Sequence, residues 1–500
     1  MRKQHQNEIL QMLKIIKEAQ SAGKYMDCQA GTSALLDFID GFGGQGTKTI
    51  VLLEEYYKLL YKASIQEVKA DFLKKHLFKI KNSVERELKP NRLEVAFISH
   101  KASMSDSIES IYLAAKADPA CDAFWIPVPY YEHNKEGKPE TLCFEGAGHY
   151  GPGIDITPWE KYDFEARRPD VIFTFSAYDA NNKVSSIHPD FYCERLHNLT
   201  TLLVYVPYFV TVDEPPERFC TLAACIYSNI VILQSEQMRD FYVRIFKKAF
   251  GNRYGNPDNK FIALGSPKFD KVINTKTKPN TKPKPKQTDL QIPDTWQRII
   301  GDKKVISYVS SIGSSLETRK TYLHKLQYIL EKFKKRDDVV LWWRPHPLIE
   351  SAFQTMMPER LRVYRMIVSK YKSEGWGIYD DTPNLHRAIA AGDGFYGDWG
   401  SLLLMYQVAG KPVMLADTTT LPEVLNADLG DCQYESDKNT IDDFAGYVLS
   451  GVYEKQQYGV AGRIVNSDGT AGQAIYDYVK RVAEYFNDNF VQKTNSPEGM

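Results

Sequence analysis

Two short groups of residues have the types and spacing to hold an anion. The apolar run Val339-Val340-Leu341-Trp342-Trp343 ends abruptly at Arg344, followed by His346 and Pro347. A buried strand that stops at a guanidinium and an imidazole reads as one emerging at the edge of a sheet, where α/β proteins bind their ligands. Further on, Gly394-Phe395-Tyr396-Gly397 runs into Asp398-Trp399-Gly400-Ser401, and Leu402 to Val408 continues as a helix closed by Gly410 and Lys411-Pro412. Small residues opening a helix offer free backbone N–H groups and the positive end of the helix dipole to an anion. Two carboxyl-end loops of one sheet therefore suggest a site for a phosphorylated donor. Ser310-Ser311-Ile312-Gly313-Ser314, after an earlier strand, is either a further phosphate nest or a plain loop. The bland readings are a surface salt bridge for Arg344, a capping imidazole for His346 and an ordinary N-cap at Asp398 to Ser401. Asp380-Asp381-Thr382 most simply caps the helix Asn384 to Ala391.

Alternating strands and helices must carry these loops. Leu93 to Ser99 has a buried-strand pattern, Ser105-Asp106-Ser107 can cap a helix over Ile108 to Ala117, and Ala123 to Val128 is the next strand. Further strands are predicted at 171–175, 202–206, 230–233 and 261–264, then at 304–309 after a break. Repeated alternation predicts mostly parallel sheets covered on both faces. The expected organisation is a helical N-terminal segment over 1–88, a Rossmann-like half over 89–274, a linker over 275–293, a second Rossmann-like half over 294–485 and a flexible tail over 486–500. The linker rests on the Lys-Pro and Thr-Lys steps of Thr277 to Lys286. Two such halves imply a ligand cleft between them. Gly41-Phe42-Gly43-Gly44-Gln45-Gly46 lacks a preceding strand and a Gly-Lys-Ser/Thr ending, so a helix–helix connection is preferred to a phosphate loop.

Composition narrows the function classes. Five hundred residues with 63 Lys and Arg against 63 Asp and Glu have a formal charge of zero, so no global field favours nucleic acid, and any polyanion must be met locally. The seven cysteines are scattered and never form a Cys-x-x-Cys pair, which fits a reducing compartment, with cytoplasm as the default. Met1 to Gln20 is not patterned as a signal peptide, and Leu202 to Val212, the most apolar run, is interrupted by Pro207 and too short to cross a bilayer. Peripheral membrane attachment stays open. No His/Asp/Glu spacing forms a metal site, and no cofactor is called for.

Arg344-x-His346-Pro347, Asp398-Trp399-Gly400-Ser401 and Gly265-Ser266-Pro267-Lys268-Phe269-Asp270 resemble, in order and separation, three signatures of the CDP-glycerol glycerophosphotransferase family, which includes teichoic acid primases and polymerases. The segment Val95 to Tyr131 looks like the first βαβ unit of a bacterial subgroup of that family. The resemblance spans about Arg92 to Ala416. It implies a GT-B fold of two Rossmann-like domains, a CDP-glycerol or related CDP-alditol donor, a glycan or lipid-linked acceptor, and release of CMP. It also implies that Arg344 pairs with phosphate, that His346 donates to the bridging or leaving oxygen, and that the Gly400 and Ser401 amides of the turn opened by Asp398 hold nonbridging oxygens; Ser310 and Ser311 join them as donor-binding candidates through the nest reading.

One departure stands out. The family's His-Gly-Thr element, whose histidine is thought to act on the acceptor hydroxyl, is missing after Leu202 to Val206, where Pro207-Tyr208-Phe209 follows. His188 and His100 are the candidates for a relocated base. The competing readings are a sugar transferase of the same fold that uses a nucleotide sugar, and a catalytically silent relative that binds a partner through its helical N-terminus.

Overall fold

The computed structural model describes residues 1–41, 46–89, 92–134, 136–151, 153–182, 184–212, 214–274, 290–310, 322–346, 349–382, 384–398, 400–416, 433–434, 440–452 and 463–494. Four helices come first, Lys3–Ser21, Tyr25–Asp40, Lys48–Ser64 and Ala70–Glu87. Apolar residues at helical spacing, such as Leu73, Leu77, Ile80 and Val84, close a core with Leu35, Leu53 and Tyr56. The bundle is tied to the next unit by the buried Arg2, which donates to Glu94 Oε2 at 2.9 Å and to the Arg167 and Arg168 carbonyls. Gly41 and Gly46 flank a helix–helix connection with no strand before it.

The strands then follow in chain order: β1 (Leu93–Ser99), β2 (Cys121–Pro127), β3 (Tyr130–His133), β4 (Pro139–Cys143), β5 (Val171–Thr174), β6 (Ser185–Ile187), β7 (Leu202–Tyr205), β8 (Ile230–Leu233) and β9 (Phe261–Ala263). Six of them form a parallel sheet in the order β2-β1-β5-β7-β8-β9. The small antiparallel sheet β4-β3-β6 has no counterpart in the sequence reading, because β4 is almost wholly exposed and carries no apolar alternation. The second half contains β10 (Lys304–Ser310), β11 (Val339–Pro345), β12 (Ile378–Tyr379), β13 (Gly394–Gly397), β14 (Val413–Leu415) and β15 (Gln433–Tyr434), ordered β12-β11-β10-β13-β14-β15 and parallel throughout. Order reverses beside β1 in the first sheet and beside β10 in the second, which is where crevices open at the carboxyl edge. These are two Rossmann-like domains of GT-B type behind a helical N-terminal segment.

The junction is built from Gly265 to Asp270. Gly265 has φ +90°, and a Cβ there would sit 2.2 Å from the Val465 carbonyl oxygen, so only glycine fits. In helix Pro267–Asn274, Phe269 and Val272 pack with Leu403, Met405 and Val408 of the second half. Asp270 accepts from Ser110 Oγ at 2.7 Å and from the Ala471 and Gly472 amides at 3.0 and 2.7 Å, capping the closing helix Ala471–Thr494. That helix returns to the first sheet, where Ile475, Tyr476, Val479 and Ala483 share a core with Phe97, Tyr112 and Trp125. It also runs beyond 485, into the segment expected as a flexible tail. Residues 275–289 of the expected linker lie outside the described residues.

Two of the expected caps are replaced. Ser105 to Ser107 belong to a 3-10 turn, Ala102–Ser107, and Asp106 forms ion pairs across the junction. The helix Leu385–Ala391 is capped by Asn384, whose side chain accepts from the Arg387 amide at 3.2 Å, while Asp380 is engaged by Arg344.

Candidate active site at the carboxyl edge of the second sheet

Register decides which loops meet. Val309 pairs with Arg344 on one side and with Gly397 on the other, so Ser310, His346 and Asp398 leave three adjacent strands, β10, β11 and β13, at one edge. Neighbouring strands lie about 4.8 Å apart, which puts the two outer loops within about 10 Å of each other, the reach of a pyrophosphate group with its ligands. Both residue groups that the sequence singles out therefore leave the sheet at a shared edge.

Arg344 is buried, and its guanidinium turns back into its own domain. Nη1 donates to Asp380 Oδ2 at 2.7 Å, and Nη2 donates to the Thr382 carbonyl at 2.5 Å. Asp380 is fully buried and also accepts from Trp342 Nε1 at 3.0 Å, from the Thr382 amide at 3.0 Å and from Thr382 Oγ1 at 2.6 Å. This arrangement fixes the loop after β12 against β11. His346 follows the strand and is half-buried, and desolvation lowers its pKa, so it is neutral at physiological pH with one N–H to donate.

Asp398 is buried directly after β13, its amide donates to the Val309 carbonyl at 3.0 Å, and Lys325 Nζ lies 3.9 Å from its carboxylate. Gly400 stands at the N-cap of helix Ser401–Val408 with extended backbone and open space where a Cβ would be. Gly400 supplies no side-chain cap and no acidic residue occupies the first turn, so Asp398 is not the N-cap and the exposed Ser401 opens the helix. Ser310 ends β10 fully buried, with Oγ 2.9 Å from the Tyr322 hydroxyl. Ser311 and Trp399 lie outside the described residues.

The two candidate bases belong to the first half. His188 follows β6, stacks on Tyr131 with ring centroids 5.8 Å apart, and accepts from the Asp190 amide at Nδ1 across 3.3 Å. That bond leaves the neutral ring's proton on Nε2, which makes the outer nitrogen a donor. His100 ends β1 and is wedged between Phe175 and Tyr130 at 4.9 and 6.2 Å. Burial, with Lys101 adding to it, pushes its pKa down to about 3, and its buried Nδ1 has no hydrogen-bond partner among the described residues. It is therefore a neutral imidazole at any physiological pH.

Sequence reasoning missed the cluster at the domain junction. Asp106, from the loop after β1, takes Lys268 Nζ at 2.5 Å on one oxygen and His386 Nε2 at 2.7 Å on the other, all three side chains being buried. Lys268 held that signal within the Gly265 to Asp270 motif, but nothing local links it to Asp106 or His386.

No protein-family profile matches the chain, and no curated protein matches it. Among solved structures, a UDP-N-acetylglucosamine 2-epimerase from Listeria monocytogenes is similar at 14% identity and a TM-score of 0.45, over 79% of this chain and 97% of that one. UDP-GlcNAc 2-epimerase from Neisseria meningitidis, bound to UDP-GlcNAc, is similar at 11% identity and a TM-score of 0.46, over 78% and 100%. The wall teichoic acid polymerase TagF is similar at 16% identity and a TM-score of 0.43, over 84% and 99%. At these identities no residue role is carried over from them.

Among the described residues, no helix is long and apolar enough to cross a membrane.

Proposed function

We propose that this chain transfers glycerol phosphate, or a related alditol phosphate, from a CDP-linked donor to a hydroxyl of a glycan or lipid-linked acceptor, with release of CMP. The observation that carries the reading is the convergence of Ser310, His346, Asp398 and the helix start at Gly400 and Ser401 on one edge, together with the resemblance of the motifs they belong to. The acceptor oxygen attacks the β-phosphorus of the donor, the bond from that phosphorus to the CMP oxygen breaks, and the hydroxyl proton passes to a base. In this reading the amides of Gly400 and Ser401 hold nonbridging oxygens, and neutral His346 donates to the leaving oxygen. Arg344 holds the edge in shape through Asp380 and adds positive charge beside it. His100 and His188 remain the candidates for the base; the Nδ1 bond counts against His188, and the burial that draws the pKa of His100 down to about 3 counts against His100. A lipid-linked acceptor would bring the protein to the cytoplasmic face of a membrane as a peripheral visitor.

The test is CMP release from CDP-glycerol with candidate acceptors. His346→Ala and Ser401→Pro, the second removing the amide at a first helical position that accepts proline, are expected to slow it by about 100-fold or more without a change in melting temperature. Full activity in both variants removes the site.

One observation favours a second reading, a nucleotide-binding protein without turnover: the Arg344 fork is already occupied by Asp380 and Thr382. Thermal stabilisation by a panel of cytidine and uridine nucleotides, with no release of CMP for any acceptor, would support it.

A further inference from the structure

At the amino ends of β7 and β8, the edge of the first sheet opposite the cleft, a groove of about 610 Å³ opens beside the closing helix Ala471–Thr494. Its volume is that of a small-molecule site. Tyr227, Tyr254, Tyr478 and Phe486 supply aromatic faces to its walls.

Among the described residues its lining includes Arg253 and Lys260 and no aspartate or glutamate, although Glu194 hydrogen-bonds Tyr227 of its wall. Lys260 is buried and directs its ammonium to the carbonyls of Cys225, Ile226 and Ser228 at 3.1, 2.9 and 2.5 Å, with no ion pair to a carboxylate among the described residues. Desolvation draws its pKa down to about 8, so it is still mostly charged at neutral pH. Arg253 is exposed and rests on the Tyr254 ring at 5.3 Å, while nearby Asp258 is engaged by Lys247 at 2.6 Å. The three carbonyls take all of the ammonium's donors, so Lys260 lends the groove its positive field while the exposed Arg253 guanidinium offers the hydrogen bonds to an anion.

Polar groups are also left over. Ser228 Oγ is buried at the groove and has no hydrogen-bond partner among the described residues. Asn229 and Asn256 use their amide oxygens on the Leu203 and Asp258 amides, which leaves each NH₂ as a donor.

We propose that this groove binds an anionic saccharide, its phosphate or carboxylate toward Arg253 and Lys260 and its rings against the tyrosines. The cations select the charge, the aromatic faces take the apolar faces of sugar rings, and the amide and hydroxyl donors meet ring hydroxyls. The site stands whether or not the cleft performs the transfer proposed above. If it does, a polymeric acceptor held at both sites is presented to the cleft at a raised effective concentration.

The test titrates the full chain with maltotetraose carrying one phosphate, with unmodified maltotetraose and with inorganic phosphate. Saturable binding of the first, about tenfold or more tighter than either of the others, is expected. Arg253→Ala and Tyr254→Ala should each weaken it by about tenfold, with melting temperature as the folding control. His346→Ala should leave it intact, which separates this site from the cleft. The proposal is overturned by an absence of saturable binding, by inorganic phosphate binding as tightly as the sugar phosphate, by unchanged affinity in both groove variants, or by loss of binding in His346→Ala.

Discussion

Asp106 and His386 stand 280 residues apart in the chain and meet at 2.7 Å between the two halves, with Lys268 on the other oxygen of the same carboxylate. One buried anion thus ties the loop after β1, the junction helix and the second half together. Its neighbours hold the Asp106 carboxyl well below the usual range, Lys268 foremost and His386 next, against the opposing effect of burial.

Asp106→Asn leaves the buried Lys268 ammonium without a counter-charge. Breaking a buried ion pair from one side costs about 3–5 kcal/mol, and the loss should appear as an earlier urea midpoint. A midpoint within error of the parent would mean that the halves are held by apolar packing alone.

Acid should weaken the fold through its buried histidines. Burial lowers the pKa of His100 to about 3 and lowers that of His386 as well. A histidine depressed in the folded state contributes stability that is fully present above its unfolded value of about 6.5 and is lost as pH falls through the folded pKa. For His100 the loss runs from about pH 6.5 down to about 3. Asp106, also depressed, adds its own loss below its unfolded value of about 3.9. In an Asp179→Asn background, which removes the opposing titration of that carboxyl, melting temperature should fall from about pH 6.5 to about 4, and His100→Phe, which keeps the ring between Phe175 and Tyr130, should flatten that slope. A level profile in that background would contradict the burial assigned to these rings.

Arg344→Ala separates a structural arginine from a ligand-binding one. Asp380 is fully buried, so removing the guanidinium should lower stability by about 3–5 kcal/mol, and Asp380→Asn should lower it in the same direction. If Arg344→Ala instead abolishes CMP release while the denaturation curve is unmoved, the residue acts directly on phosphate.

Asp179 behaves in the opposite sense to the histidines. It has φ +49°, and burial raises its carboxyl to about 6, although both oxygens accept from the Cys193 amide. A raised carboxyl contributes stability that is present below the unfolded value of about 3.9 and is lost as pH rises through the folded one. Asn tolerates the left-handed conformation and keeps a carbonyl for Cys193. Asp179→Asn is therefore expected to stabilise by about 1–3 kcal/mol at pH 7.5 and by little at pH 4. Equal effects at both pH values would show that ionisation is not the cause.

Much of the scaffold was legible because strand periodicity is local. Leu93 to Ser99, Lys304 to Val309 and Val339 to Trp343 each announce a buried parallel strand, and the turn at Gly400 and Ser401 announces a helix start. The same local signals named Arg344, His346 and Asp398. They also sufficed for the helical N-terminus, whose apolar spacing needs only its own residues. The exposed β4 left no such trace.

Tertiary structure alone decided how these pieces act on one another. Register across β11, β10 and β13 brought His346 and Asp398 to one edge, while a carboxylate in the next loop turned Arg344 inward. The closing helix left its own half for the first sheet because Ile475 and Val479 find their apolar partners there. Side-chain periodicity depends on neighbours three or four residues away, whereas the partner of a buried charge depends on which distant loop arrives beside it. Only the folded chain brings Asp106, Lys268 and His386 together.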